Sequence, residues 1–369
     1  AGCAFAASAQ GTGPEKIVKA GNGQPATPSA APVAPLRLLS VSPAGGSRHA
    51  NGGAPVTLTF SSALSPATPL PVLTPKIAGS WTVAGKTATF TPASGFRPGT
   101  KVTLKVPGGA GGMAGAATGA GTLAQPSSVT FTTGTYSVAG LQVLLARLGY
   151  LPLTWTPAAG GSLPASLNEA VSDAYAPPAG QLTFKPGYPG QLTSKWKAGQ
   201  DNLLDQGAIR AFENNQGLEM DGAAGSQVWA HLIAAAAKGK VNPDGYTYAL
   251  ASQSSPHETL KVWHDGKVIL NTPANTGIPG ANTEDGTYPV YERLQFQIMK
   301  GTNPDGSKYA DPVQWISYFN GGDAVHYFDR PAYGYYQSLG CVELPWTKAK
   351  FIWSYLTYGT LVTVTGPVA

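Results

Sequence analysis

A chain with 47 glycines and 32 prolines among 369 residues meets, roughly every five residues, a side chain that helix interiors and central strands reject. Such a chain folds as short strands joined by many turns, and a bundle of long helices is excluded. Hydrophobic residues still make up 42% of the chain, and 8 Trp, 16 Tyr and 11 Phe supply bulk for real cores. At roughly 100–200 residues per domain, the length implies two to four domains. Charged residues are only 12%, and the net charge of +5 is scattered with no dense basic block. This argues against nucleic acid and suits an anionic wall surface. No run of 18 apolar residues occurs, so no transmembrane helix is expected. The two cysteines, Cys3 and Cys341, exclude a disulfide-stapled scaffold and a Cys-rich zinc site. The histidines at 49, 231, 257, 264 and 326 form neither an HExxH motif nor a close pair, so a metal enzyme is not expected.

Four segments differ in pattern. Residues 1–34 have the Ala, Gly, Pro and Ser composition of a flexible tether. Their opening Ala1-Gly2-Cys3 resembles the end of a bacterial lipobox, which implies lipidation at Cys3 and a tether to a membrane. Residues 35–133 alternate in short runs, as in Val56-Thr57-Leu58-Thr59-Phe60 and Lys101-Val102-Thr103-Leu104-Lys105-Val106. Short strands at this spacing predict an Ig-like β-sandwich, and without a Cys pair the segment resembles bacterial Ig-like spacer modules. Residues 134–238 place Val138, Leu141, Leu144, Leu145 and Leu148 on one helical stripe, and Leu203, Ala208, Ile209 and Phe212 on another. This segment resembles a small three-helix peptidoglycan-binding domain, split by a Pro-, Gly- and Trp-rich insertion at about 152–202. Residues 239–369 return to β pattern. Thr259–Trp263 and Lys267–Leu270 flank His264-Asp265-Gly266, a strong hairpin signal, and strands at Gly286–Val290 and Leu294–Ile298 follow. A helix near Trp346–Tyr355 precedes a last strand, Leu361–Val364.

The chemistry lies between Ala324 and Leu344. A lone Cys in a chain read as secreted is conspicuous, and Cys341 sits in a Ser338-Leu339-Gly340-Cys341 frame. Glycine at 340 lets the backbone approach closely and aim successive N–H groups at one point, as an oxyanion hole requires. A thiolate attacks carbonyls well once a base takes its proton, and His326 is the one histidine in the last hundred residues. It lies 15 positions before Cys341, so the chain must fold back, and Pro331 and Gly334 allow it. Tyr318, before His326, and Tyr327 and Tyr333, after it, crowd this segment and are candidate groove contacts. Trp315 and Trp346 read as core, and His257 and His264 as surface.

Residues 245–366 resemble the L,D-transpeptidase catalytic domain, or YkuD fold. "TLKVWHDGKVILNTPANTG", "TEDGTYPVYERL" and "SLGCVELPWTKAKFIWSYLTYGTLVTVTG" carry the likeness. The overall reading is a multi-domain, mainly β chain: Ig-like sandwich, helical wall-binding module, YkuD-type catalytic sandwich. The resemblance implies that Cys341 attacks the peptide bond between residues three and four of a peptidoglycan stem, with His326 as base. An amine of a second stem then resolves the thioester into a 3→3 cross-link, in service of cell-wall biogenesis and cell shape. It also implies action outside the cytoplasm, carbapenem-type β-lactams as inhibitors, and no need of a cofactor or metal; a monomer is expected. Three departures stand out. The box His is Leu339, the Arg or Asn after the Cys-Val pair is Glu343, and the loop from His326 to Ser338 is shorter than is typical; in addition, the Ser found after the base in some members is Tyr327. Two alternatives stay open: an L,D-carboxypeptidase, in which water replaces the amine, and a non-catalytic wall-binding protein with a degenerate site.

Overall fold

A computed structural model describes residues 34–366 except 118, 159–163 and 254–256. Cys3 and the leader expected at 1–34 lie, but for residue 34, outside the described residues.

The first region is a two-sheet sandwich. Its strands are β1 (Leu38–Ser42), β2 (Val56–Phe60), β3 (Val72–Thr74), β4 (Gly79–Ala84), β5 (Thr87–Pro92), β6 (Lys101–Val106) and β7 (Ser127–Thr132). One sheet has the order β1-β2-β5-β4 and the other β3-β6-β7, with every pair antiparallel. Alternation explains the core. Val56, Leu58 and Phe60 point inward from β2 and meet Val102 and Leu104 of β6 and Phe131 of β7.

The second region contains α1 (Val138–Arg147), β8 (Leu153–Pro157), α2 (Leu167–Tyr175), β9 (Gly180–Phe184), α3 (Gly190–Thr193), α4 (Leu203–Gln216) and α5 (Ser226–Ala237). Ser137 caps α1 by accepting the Gly140 N–H at 3.0 Å, and Asn202 caps α4 by accepting the Leu204 N–H at 3.0 Å. The stripes read from the sequence are buried: Leu141, Leu144 and Leu145 of α1 face Leu204, Ala208, Ile209 and Phe212 of α4 and Leu232 of α5 in one core. The stretch 152–202 is ordered where described. It folds as a β8–β9 hairpin enclosing α2, and α2 seats the first region. Asn168 donates to the Gly53 carbonyl at 2.9 Å, Tyr175 to that of Phe96 at 2.9 Å, and Asn51 to that of Ser172 at 3.1 Å. A Cβ on Gly53 would lie 2.5 Å from the Ser172 nitrogen, so this junction requires a residue without a side chain.

The third region holds β10 (Thr247–Ser252), β11 (Thr259–His264), β12 (Lys267–Pro273), β13 (Thr276–Gly277), β14 (Gly286–Pro289), β15 (Glu292–Thr302), β16 (Lys308–Asn320), β17 (Asp323–Tyr327), β18 (Tyr336–Ser338), β19 (Val342–Leu344), α6 (Trp346–Trp353) and β20 (Leu361–Thr365). A sheet of order β12-β11-β10-β20-β14 packs on a sheet of order β15-β16-β17-β19. Ala249, Val262 and Val364 meet Val325, Leu344 and Ile352 in the core between them. Asp265 and Gly266, with φ of 46° and 77°, make the tight β11–β12 turn expected of Asp-Gly. The β15–β16 hairpin is longer than its alternation predicts, with strands of 11 and 13 residues. Its distal half leaves the core, and Phe296 and Ile298 are exposed there, so the pattern that marks a half-buried strand is lost.

The second and third regions share one core. Tyr246, Tyr248, Trp263 and Leu361 belong to the same apolar cluster as the helices. Gly207 of α4 and Gly359 come so close that a Cβ on Gly359 would lie 2.1 Å from the Gly207 carbonyl oxygen.

Candidate active site

A cleft of about 530 Å³ opens between the β15–β16 hairpin and the ends of β17 and β19. Its floor follows from strand register. β17 and β19 are parallel, with Val325 opposite Val342 and His326 opposite Glu343. Side chains alternate along a strand. Val325 and Val342 therefore turn into the core, while His326, Glu343 and Cys341, which immediately precedes β19, share the other face. All three line the cleft, with Leu339, Arg330, Asp323, Tyr309 and Phe328.

His326 is buried, and its Nδ1 lies 2.9 Å from the Tyr327 carbonyl oxygen. A carbonyl only accepts, so Nδ1 carries the hydrogen and Nε2 keeps its lone pair. Burial lowers the imidazole below its usual 6.5, the Tyr327 carbonyl and Glu343 oppose this, and Arg330 adds to it. The ring is a neutral base at neutral pH.

Burial pushes the Cys341 thiol up to about 12; the Ala324 N–H counters this, while Asp323 and Glu343 add to it. The sulfur is thus held as a neutral thiol. No hydrogen bond joins it to His326 among the described residues; it donates instead to the Gly322 carbonyl at 3.8 Å. For the pair to exchange a proton, the thiol would have to turn toward the imidazole.

The Ser-Leu-Gly-Cys turn is locked from within. The Ser338 hydroxyl is buried and donates to the Cys341 carbonyl at 2.6 Å. Gly340 has φ +110°, and a Cβ there would lie 2.3 Å from Asp323 Oδ1. The backbone N–H groups of Leu339, Gly340 and Cys341 meet no acceptor among the described residues, which suits them to an incoming oxyanion. Asp323 accepts the Glu284 N–H, and burial raises its carboxyl to about 7.

Glu343 anchors the loop that covers the floor. Arg330 grips it with both edges of one fork, Nε to Oε2 at 2.9 Å and Nη2 to Oε1 at 2.7 Å. Nη2 also donates to the Gln337 carbonyl at 2.8 Å. The buried Asn275 donates to Glu343 Oε2 at 3.1 Å, and its own Oδ1 accepts from the Gly334 N–H at 3.0 Å and from Gln337 Nε2 at 3.0 Å.

Of the residues singled out in the sequence, Cys341, His326 and Leu339 line the cleft, and Ser338 and Gly340 shape its turn. The three tyrosines do not line it. Tyr327 follows His326 and so turns to the opposite face of β17, against the core. Tyr318 is buried, with its hydroxyl on Gln297 at 2.6 Å, and Tyr333 donates to the Phe328 carbonyl at 2.7 Å. Their place on the wall is taken by Tyr309 and Phe328. Asn275 and Asp323 were not expected; the mismatch at Glu343 was the one sequence signal of a new network.

Residues 247–364 match the family model of the L,D-transpeptidase catalytic domain, and residues 32–133 that of a bacterial Ig-like domain. No curated protein matches the chain. Among solved structures, the chain is similar to the catalytic domain of the Enterococcus faecium L,D-transpeptidase at 29% identity. That likeness covers 32% of this chain and 96% of the other, with a TM-score of 0.30. It is similar at 16% to L,D-transpeptidase 3 of Mycobacterium tuberculosis in complex with a faropenem-derived adduct, over 89% and 98% of the two chains with a TM-score of 0.30. An L,D-transpeptidase of Mycobacterium smegmatis is 14% identical over 90% and 100%, with a TM-score of 0.29. The chain therefore carries a bacterial Ig-like domain and, C-terminal to it, an L,D-transpeptidase catalytic domain.

Proposed function

We propose that this chain is an L,D-transpeptidase that joins peptidoglycan stem peptides through an acyl-enzyme on Cys341. The observation that carries the reading is the floor of the cleft, where Cys341 and His326 share one face of two parallel strands within the family-matched region. The Cys341 thiol gives its proton to His326 Nε2 as sulfur attacks the carbonyl of stem residue three. The N–H groups of Leu339, Gly340 and Cys341 receive the oxyanion. The C–N bond breaks, the terminal residue leaves with the proton from His326, and a thioester remains. An amine of a second stem loses its proton to His326, attacks the thioester and restores the thiol, leaving a 3→3 cross-link. A carbapenem carbonyl takes the same first step and stops there.

The remaining parts serve delivery. The Ig-like domain is a spacer, and the helical region at 134–238 holds wall polymer. Tyr136 and Trp229, with ring centroids 4.7 Å apart, line a cleft of about 520 Å³ there beside Arg210 and Asp221. Action is extracytoplasmic, with a lipid at Cys3 as tether; no helix among the described residues is long and apolar enough to cross a membrane.

Incubation with a disaccharide-tetrapeptide, alone and with an acceptor stem, tests the reading by product mass. A cross-linked dimer that requires Cys341 is expected. Tripeptide alone in the presence of acceptor assigns carboxypeptidation instead, and no turnover rejects both.

A further inference from the structure

We propose that Arg330, seated by Glu343, receives the terminal carboxylate of the donor peptide and so makes the enzyme require a free carboxyl end. The inference rests on the transpeptidase reading above and deepens it.

Arg330 is the one cation lining the cleft among the described residues; the carboxyls of Asp311, Asp323 and Glu343 line it too, and Glu343 and Asp311 stand near enough to Arg330 to hold its charge more firmly. Its position along the floor matters as much as its charge. Cys341 lies at the level of Ala324. Glu343 and His326 lie two residues further along the parallel pair, about 6.5 Å on. Arg330 is clamped to Glu343, so it belongs to the His326 end. The leaving amine must reach His326 to collect its proton. In a peptide that loses its last residue, the carboxylate is one carbon away from that amine. The anion therefore arrives at the His326 end whatever else the substrate does.

The guanidinium is prepared for it. Nε and Nη2 are occupied by Glu343 and Gln337, whereas Nη1 donates to no acceptor among the described residues. The Phe328 ring lies 4.6 Å from the guanidinium carbon and holds its plane. Glu343 is buried and also accepts from Asn275, so its charge is spent on fixing the fork, and Nη1 is left without an acceptor among the described residues. A preorganised donor of this kind discriminates more strongly than a mobile lysine at the rim.

The test compares two donors, a tetrapeptide stem with a free terminal carboxyl and the same peptide as its carboxamide. Acyl-enzyme formation is followed by intact mass. Wild type should favour the acid by roughly 10- to 100-fold, the range of one charge-assisted hydrogen bond. Arg330→Gln should bring the acid-to-amide ratio close to one, and Glu343→Gln, which still accepts from Arg330, should keep a preference. If Arg330→Gln does not fold, Arg330→Lys, which keeps charge but loses the fork, should lower the ratio. Equal rates on wild type, or a full preference surviving loss of Arg330, overturn the inference. Failure of wild type to react with either peptide overturns the transpeptidase reading and this inference together.

Discussion

Gly340 holds the Ser338–Cys341 turn in a conformation that leaves no room for a side chain. Gly340→Ala adds a Cβ 2.3 Å from Asp323 Oδ1 at a φ of +110°, a conformation L residues avoid. Backbone strain of this kind costs about 1–3 kcal/mol. The Asp323 carboxyl must also move off the Glu284 N–H, losing a hydrogen bond worth about 0.5–1.5 kcal/mol. Together these give roughly 2–4 kcal/mol, or about 5–15 °C in Tm for a unit of this size. Thermal and urea unfolding of Gly340→Ala, Asp323→Ala and the double variant separate the two parts. The strain should persist in the double variant, while the contact should appear as a coupling of about 0.5–1.5 kcal/mol, within the range for touching residues. Additive single effects would refute the claim that Gly340 is glycine because Asp323 packs against it.

Three further outcomes are expected. Burial raises Asp205 to about 7, so its contribution to stability is complete below the unfolded value of 3.8 and is lost as pH rises through about 7. Asp205→Asn should be near neutral at pH 4 and stabilise by roughly 1–3 kcal/mol at pH 8; equal effects in urea unfolding at both pH values would contradict this. Residues 239–366 alone uncover Tyr246, Tyr248, Trp263 and Leu361, and should bind a hydrophobic dye and aggregate, whereas 134–366 should melt cooperatively; a well-behaved short fragment would disprove the shared core. Because His326 is depressed below 6.5, acylation of Cys341 should hold its rate through neutral pH and fall only on the acid side of 6.5; a profile that keeps climbing from pH 7 to 9 would mean that hydroxide, not His326, removes the proton.

Much of this was legible before any coordinates. Period-two runs such as Val56–Phe60 and the Leu141–Leu145 stripe declare their buried faces because core burial selects apolar residues at a fixed spacing. That Cys341 and His326 could share a cleft was legible because the chain offers one cysteine beyond its leader and one histidine in its last hundred residues, and both line the cleft. What was hidden depends on neighbours distant in sequence. Nothing local marks Asn275 as the partner of Glu343, 68 positions away, or tells Tyr327 from a groove residue until β17 fixes which side faces out. The protonation of Cys341 was equally unreadable, since it follows from burial and from the flanking Asp323 and Glu343 rather than from residue type. The stretch 152–202 broke the helical pattern and so read as an insertion; only its contacts with Asn51, Gly53 and Phe96 reveal it as the seat of the Ig-like domain.

The most direct measurement is intact mass after incubation with a carbapenem, on wild type, Cys341→Ala and His326→Ala. We expect one stoichiometric adduct on wild type, none on Cys341→Ala, and a much slower one on His326→Ala. An unmodified wild type with a titratable free thiol, or an adduct that survives removal of Cys341, would contradict the account.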